Sequence, residues 1–273
     1  SGKFSCPPNK LACRKKFMAI KTDMSKAYYR VEWSFLRALM LKMGITEKWV
    51  DLIIFCISSV SYKVLLNGAP RGLIKPSRGI RQGDHISPFL FILCTKALVA
   101  KLKEAEWNGR IQGLQISRAS PSTSHLLFAD DILFFCRADP AQGQEIINIL
   151  RIYGEASGQQ LNAAKSSVMF GHDVDNTTQS TIKSNLGIHR DGGMGSYLGL
   201  LEKIHGSKTQ VFSFVRDRLQ KRLNTWSAKF LSKGGKEVLI KSVAQALPTY
   251  VISCFLLSKA IRSKLSSAIA NFW

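Results

Sequence analysis

Three carboxylates and one glycine-rich loop hold most of the chemistry this sequence can offer. Asp130 and Asp131 stand side by side in Phe128-Ala129-Asp130-Asp131, between the apolar runs HLLF and ILFFC. Two adjacent carboxylates between hydrophobic strands are costly unless a cation or hydrogen bonds compensate them. At a hairpin tip the natural compensation is a divalent metal, which prefers hard oxygen ligands. One strand end cannot supply enough oxygens, and Asp23, at the end of FMAIKTD, is the obvious further donor. Taken alone, an Asp-Asp pair is also what a solvated turn contains. The second feature is the loop Arg78-Gly79-Ile80-Arg81-Gln82-Gly83-Asp84, just before Ser87-Pro88. Its two glycines let the backbone approach a ligand closely, and a helix N-terminus beyond it favours phosphate. Arg78 and Arg81 add cations suited to a phosphodiester chain.

These residues need rigid elements to hold them, and the pattern supplies candidates. FMAIKTDMS (17–25) reads as a strand leading to a site, and the run 125–136 as two strands around Asp130-Asp131. Helical periodicity covers about 33–43, stopped by Gly44, and about 47–59 behind Thr46. Asn67-Gly68 marks a hairpin within 61–79. Ser87-Pro88 offers a cap and a first-turn proline for a long helix. Asp139-Pro140 opens another helix, about 140–157, closed by Gly158. KSSVMFG (165–171) is a further strand, and 172–195 a loop around a short helix. From Lys208 onward the pattern is almost wholly helical, with Pro248 as its main punctuation. Strands in pairs packed on long helices, then a helical tail, predict an α+β fold and not alternating βαβ units.

Composition narrows the partner. The 273 residues carry 39 Lys and Arg against 18 Asp and Glu, a formal charge of +21. Such an excess of cations wants a polyanion, nucleic acid first and an anionic surface second. Residues 203–273 hold thirteen of the cations against only Asp217 and Glu237, so an acidic working region precedes a basic clamp. With 45% hydrophobic residues the chain can close one or two cores, which excludes a disordered tail. The six cysteines lack C-x-x-C spacing, and four of them sit in apolar runs, which reads as buried free thiols in a reducing compartment. No membrane span is expected, and the localisation expected is intracellular, in the nucleus or cytoplasm.

Taken in order, five segments resemble motifs A to E of reverse transcriptases: TDMSKAYYRVEW, RGIRQGDHISPFLF, FADDILFF, GQQLNAAKSSVMFG and YLG. The likeness is to plant non-long-terminal-repeat (LINE-type) retroelement polymerases, and WSAKFLSKGGKEVLIKSVAQALPTYVISCF (226–255) also resembles the segment that follows the palm in them. It runs from about Lys16 to the end. The resemblance implies an RNA-directed DNA polymerase with two Mg²⁺ ions (Mn²⁺ as a substitute), an RNA template, a DNA primer and deoxynucleoside triphosphates. It implies a residual segment at 1–16, a palm at 17–200 and a basic helical thumb at 201–273.

By position, Asp23, Asp130 and Asp131 match the metal-binding carboxylates, and Lys165 the lysine that protonates pyrophosphate. Tyr28 matches the aromatic under the incoming sugar, which blocks a ribose 2′-hydroxyl, with Met24, Gln82 and Gly83 beside the nucleotide. Arg78, Arg81, Tyr197, Gly199, Lys221 and Arg222 fall where template and primer are held. Read from the residues alone, Tyr28 has a lesser alternative as a core aromatic, and Lys165 an equal one as a surface charge. The sequence departs from the family at Tyr29, where Asp is usual, and at His85-Ile86. Only 22 residues precede Asp23, too few for a fingers subdomain, so the chain as given is expected to bind primer–template and extend it poorly. Two rival readings stand beside the polymerase. One is a catalytically inactive nucleic-acid-binding retroelement remnant, and the other a maturase-like RNA chaperone.

Overall fold

The structure, a computed structural model, describes residues 16–115, 117, 119–192, 196–197, 200–201, 213–225 and 231–273. Backbone packing divides the chain into two compact units, the division falling after Gly192.

The first unit is built on a four-stranded antiparallel sheet. Strand β1 (Phe17–Asp23) alternates, burying Met18, Ile20 and Thr22 on one face. The hairpin strands β4 (His125–Phe128) and β5 (Asp131–Arg137) and strand β6 (Ser167–Phe170) complete the order β4-β5-β1-β6. β5 buries Ile132, Phe134 and Cys136, so the buried faces of the two central strands coincide. The register runs from Phe17 opposite Arg137 to Asp23 opposite Asp131. A one-residue slip would expose this whole hydrophobic set, which is what fixes the pairing.

Helices α1 (Trp33–Lys42), α2 (Glu47–Ser58), α3 (Ser87–Trp107), α4 (Pro140–Ser157) and α5 (Asn176–Leu186) complete the unit. α3 buries Leu90, Phe91, Cys94, Leu98, Leu102 and Ala105, a stripe at helical spacing. Each such leucine is worth about 2 kcal/mol of burial. Asp139 caps α4 by accepting from Ala141 N at 3.0 Å, and Gly158 ends it at φ +80°. Asp175 caps α5, and hydrogen bonds from the Thr177 and Thr178 hydroxyls and the Thr178 N–H hold its carboxyl well below the usual range. The hairpin of β2 (Tyr62–Leu66) and β3 (Ala69–Ile74) turns at Asn67-Gly68, both at positive φ as a type I′ turn requires.

The α+β expectation holds, with three local corrections. Ser87 lies inside α3 and is buried, its hydroxyl without a partner, so it does not cap the helix. The short helix expected in 172–195 runs eleven residues. Pro248 does not break the tail, because it falls in the first turn of its helix, where a missing N–H costs little.

That tail is the second unit. α6 (Ser213–Thr225) buries Val215, Leu219 and Leu223 at i, i+4 and i+8. α7 (Lys233–Leu239), capped by Ser232, continues through a π turn (Ile240–Ala244) into α8 (Ala246–Cys254). α9 (Lys259–Phe272) adds Ile261, Leu265 and Phe272 to a separate core. Two two-residue strands, β7 (Ser196–Tyr197) and β8 (Leu200–Leu201), pair antiparallel. Among the described residues no helix is long and apolar enough to cross a membrane.

The free thiols divide by burial. Burial pushes Cys94 and Cys136 up to about 12, whereas Cys56 is exposed. Iodoacetamide at pH 8 should therefore alkylate Cys56 in the folded protein and leave Cys94 and Cys136 intact until denaturant is added. Peptide mass mapping reads the difference, and prompt labelling of Cys94 would contradict this core.

Candidate active site

Asp130 sits in a two-residue turn between β4 and β5, whose ends Phe128 and Asp131 pair directly. Ala129, the first turn residue, has φ +51°, and of the two turn residues it alone is left-handed. That is the type II′ pattern, in which glycine is usual, so alanine here stores about 1–2 kcal/mol of strain. The neighbouring strand brings Asp23 opposite Asp131. Directly opposed residues point to the same face, with Cβ atoms typically about 4.5–5.5 Å apart. Both lie on the less buried face of their strands.

The segment 159–166 is stitched to the end of β1. Asn162 N donates to Asp23 O at 2.9 Å, Ser25 N donates to Gln160 O at 2.8 Å, and Met24 bridges to Leu161. Asp23 N donates to the Ser166 hydroxyl at 3.3 Å, which donates in turn to Asn162 O at 2.7 Å. This scaffold puts Lys165 Nζ 4.0 Å from Asp23 Oδ2. Lys165 is 71% exposed, so the pair contributes at most about 1 kcal/mol, and its effect is one of placement.

A 3₁₀ turn (Ala27–Arg30) follows β1 and carries the aromatics. The half-buried Tyr28 ring stacks on Phe91, with centroids 4.8 Å apart and planes 12° from parallel. The backbone of 78–80 docks beside it: Gly79 N donates to Val31 O and Ile80 N to Tyr28 O, both at 2.8 Å. The exposed Tyr29 hydroxyl reaches Gln82 Oε1 at a long 3.5 Å. Gly83 has φ +92°, which fits a turn only glycine makes freely. Arg78 pairs with Glu32 at 3.1 Å, and Arg81 is exposed.

The profile of the reverse transcriptase (RNA-dependent DNA polymerase) family matches residues 7–231. The chain belongs to that family. Over 67 residues it is 55% identical to an uncharacterized mitochondrial protein of Arabidopsis thaliana, covering 24% of this chain and 55% of that one. Over 210 residues it is 25% identical to a retrovirus-related Pol polyprotein from the type-1 retrotransposable element R2 of Popillia japonica, covering 74% of this chain and 34% of that one. This reverse transcriptase chain thus spans about half the length of the first relative and about a third of the second. Among solved structures it is similar to telomerase from Candida tropicalis in complex with a fragment of telomeric RNA. That match has 13% identity and a TM-score of 0.49, covering 90% of this chain and 40% of that one.

The reverse transcriptase residues expected from sequence are therefore partly gathered. Asp23, Asp130, Asp131 and Lys165 lie toward one end of the sheet, and Tyr28, Gln82 and Gly83 at the adjoining turn and loop. Met24 is buried, and its backbone is bridged to Leu161. Tyr197 lies in β7 and Lys221 and Arg222 in α6, all in the second unit, and Gly199 lies outside the described residues. Reverse transcriptases generally use divalent metals, and three carboxylates on a strand pair and its turn fit a hard cation in donor type. As placed, no three His, Cys, Asp or Glu side chains among the described residues converge closely enough to hold one. Like charges repel, and Asp23 leans to Lys165. Sequence reasoning missed Asn162 and Ser166, which brace the end of the carboxylate strand, and Gln159, which holds the turn after it at Ala27. Their one signal was the run of amide and hydroxyl side chains around Lys165.

Proposed function

We propose that this chain carries the palm (17–200) and basic thumb (201–273) of a non-long-terminal-repeat retroelement polymerase, extending a DNA primer on an RNA template inside the cell, in the nucleus or cytoplasm. The observation that carries the reading is the pairing of Asp23 with Asp131 at a strained hairpin tip, with Lys165 ion-paired to Asp23. Asp23, Asp130 and Asp131 would hold two Mg²⁺ ions, which when bound supply activation of the primer 3′-hydroxyl and neutralise triphosphate charge. Lys165 would give a proton to the leaving pyrophosphate. Gln82 and Gly83 back the incoming nucleotide. Arg78, Arg81, Tyr197, Gly199, Lys221 and Arg222 hold template and primer through their backbones, independently of sequence. Arg78 does so only by exchanging Glu32 for phosphate.

The test is primer extension with Mg²⁺ on an RNA template, by this chain and by a fusion behind the upstream fingers segment of a related retroelement. Template-directed addition of deoxynucleotides is expected from at least the fusion. A second reading, the inactive nucleic-acid-binding remnant, is favoured by the carboxylates that do not converge. Failure of both proteins to extend, with primer–template still bound, would decide for it.

Tyr28 separates the two roles given to it. Tyr28→Val should raise ribonucleotide use by roughly tenfold or more, since a ring beneath the sugar leaves no volume for a 2′-oxygen. A variant that melts earlier yet discriminates like the parent would make Tyr28 only the partner of Phe91.

A further inference from the structure

A cavity of about 440 Å³ is lined by Arg30, Arg78, Arg151 and Glu155, by Gln159, and by Ile147, Leu150 and Leu161. It shares no residue with the carboxylate cluster. Its charges are unevenly matched: Arg78 pairs with Glu32 and Arg151 with Glu155, and among the described residues Arg30 makes no ion pair. The Arg30 Nε is buried without a hydrogen-bond partner, and so is the Oε1 of Gln159, a residue only 4% exposed. Gln159 is held in place, because its Nε2 donates to Ala27 O at 2.8 Å.

Arg30 and Gln159, the residues that carry these two orphaned groups, both line the cavity. A buried donor on a cation asks for an anion, and a buried amide oxygen asks for an N–H or O–H. The volume suits a small ligand, and the apolar wall suits a flat ring or a sugar face. A nucleotide has all three parts: a phosphate for the guanidinium, a hydroxyl or base amine for the Gln159 oxygen, and a ring for the wall.

We infer that this cavity is a second, metal-independent nucleotide site, binding the phosphate through Arg30 and the sugar or base through Gln159. The nucleotide is either free or one unit of a bound strand. The site adjoins the catalytic strand, since Gln160 and Leu161 line the cavity and also bond to Ser25 and Met24. The inference does not depend on the two-metal reading.

The experiment is calorimetric titration of the whole chain in excess EDTA and about 0.15 M salt, where charge contacts at the surface are largely screened. The probes are inorganic phosphate, uridine monophosphate, and a five-residue single-stranded oligouridylate. One-site binding of uridine monophosphate, tighter than phosphate, is expected to survive EDTA and the Asp130→Asn substitution. Arg30→Met should weaken it at least tenfold. Arg78→Met, at the exposed rim, should weaken it less and serves if the first variant does not fold. Competition by the oligouridylate at equal or lower concentration would assign the strand as the source, and its failure to compete the free nucleotide. No binding in EDTA, or binding untouched by both arginine variants, would overturn the site.

Discussion

Asp130→Asn should reduce nucleotide addition by about 10³-fold or more, roughly 4 kcal/mol of transition-state stabilisation, while primer–template binding stays within about a factor of two. The two readouts part because they draw on different residues. Asp130 offers a carboxylate at a turn tip, whereas the contacts proposed for the duplex are arginines and lysines away from that turn. Asparagine is nearly isosteric and is at home in tight turns, so the β4–β5 hairpin should persist. What is lost is one negative charge and one hard ligand. The alternative assignment, a plain solvated turn, predicts no loss of activity, and full activity in the variant would remove the two-metal reading. The rate can be followed by single-nucleotide incorporation on an RNA template, and binding by fluorescence anisotropy of the same duplex. Both should use the protein that extends best, this chain or its fusion with an upstream segment.

What the sequence made legible follows from the range of each interaction. Caps, turns and periodicity are local, so the strand 17–23, the Asn67-Gly68 turn, and the helix from Asp139 to Gly158 could be read within a residue or two. Asp23 could be named because a carboxylate at the end of an apolar strand is conspicuous. Its partner was harder, because the pairing of Asp23 with Asp131 spans more than a hundred residues and rests on sheet register. Register follows from which faces are buried together, and a single strand does not reveal that. The support of the site was less visible still. Ser166, Asn162 and Gln159 act through bonds to backbone atoms of β1 and the turn after it, and nothing about a lone Ser or Gln announces such a bond. Ser87 misled for the same reason: a good capping residue was drawn inside its helix by burial.

Gly79→Ala and Gly158→Ala should each destabilise the first unit by roughly 2–4 kcal/mol and disturb the nucleotide site as well. The 3₁₀ turn that carries Tyr28 is clamped between these two glycines. A Cβ on Gly79 would stand 2.7 Å from Tyr29 O, and one on Gly158 would stand 2.3 Å from Arg30 O. Both neighbours are backbone and cannot swing aside, and both glycines have positive φ, +90° and +80°. Strain and overlap therefore add. Gly187 separates the two causes: its φ is +63°, but a Cβ there meets nothing within 4 Å. Gly187→Ala should cost only the conformational part, about 1 kcal/mol. At a few degrees per kcal/mol for a domain of this size, the clamp variants should melt roughly 5–15 °C lower and the control only about 2–4 °C lower. The clamp also fixes where the Tyr28 ring lies against Phe91. Any turn that shifts to admit the new methyl moves that ring, so discrimination against ribonucleotides should weaken in Gly79→Ala and persist in Gly187→Ala. Equal melting shifts in all three variants would mean that positive φ, and not close approach, is what these glycines serve. The turn would then be free to move, and Tyr28 would have no fixed wall to offer a sugar.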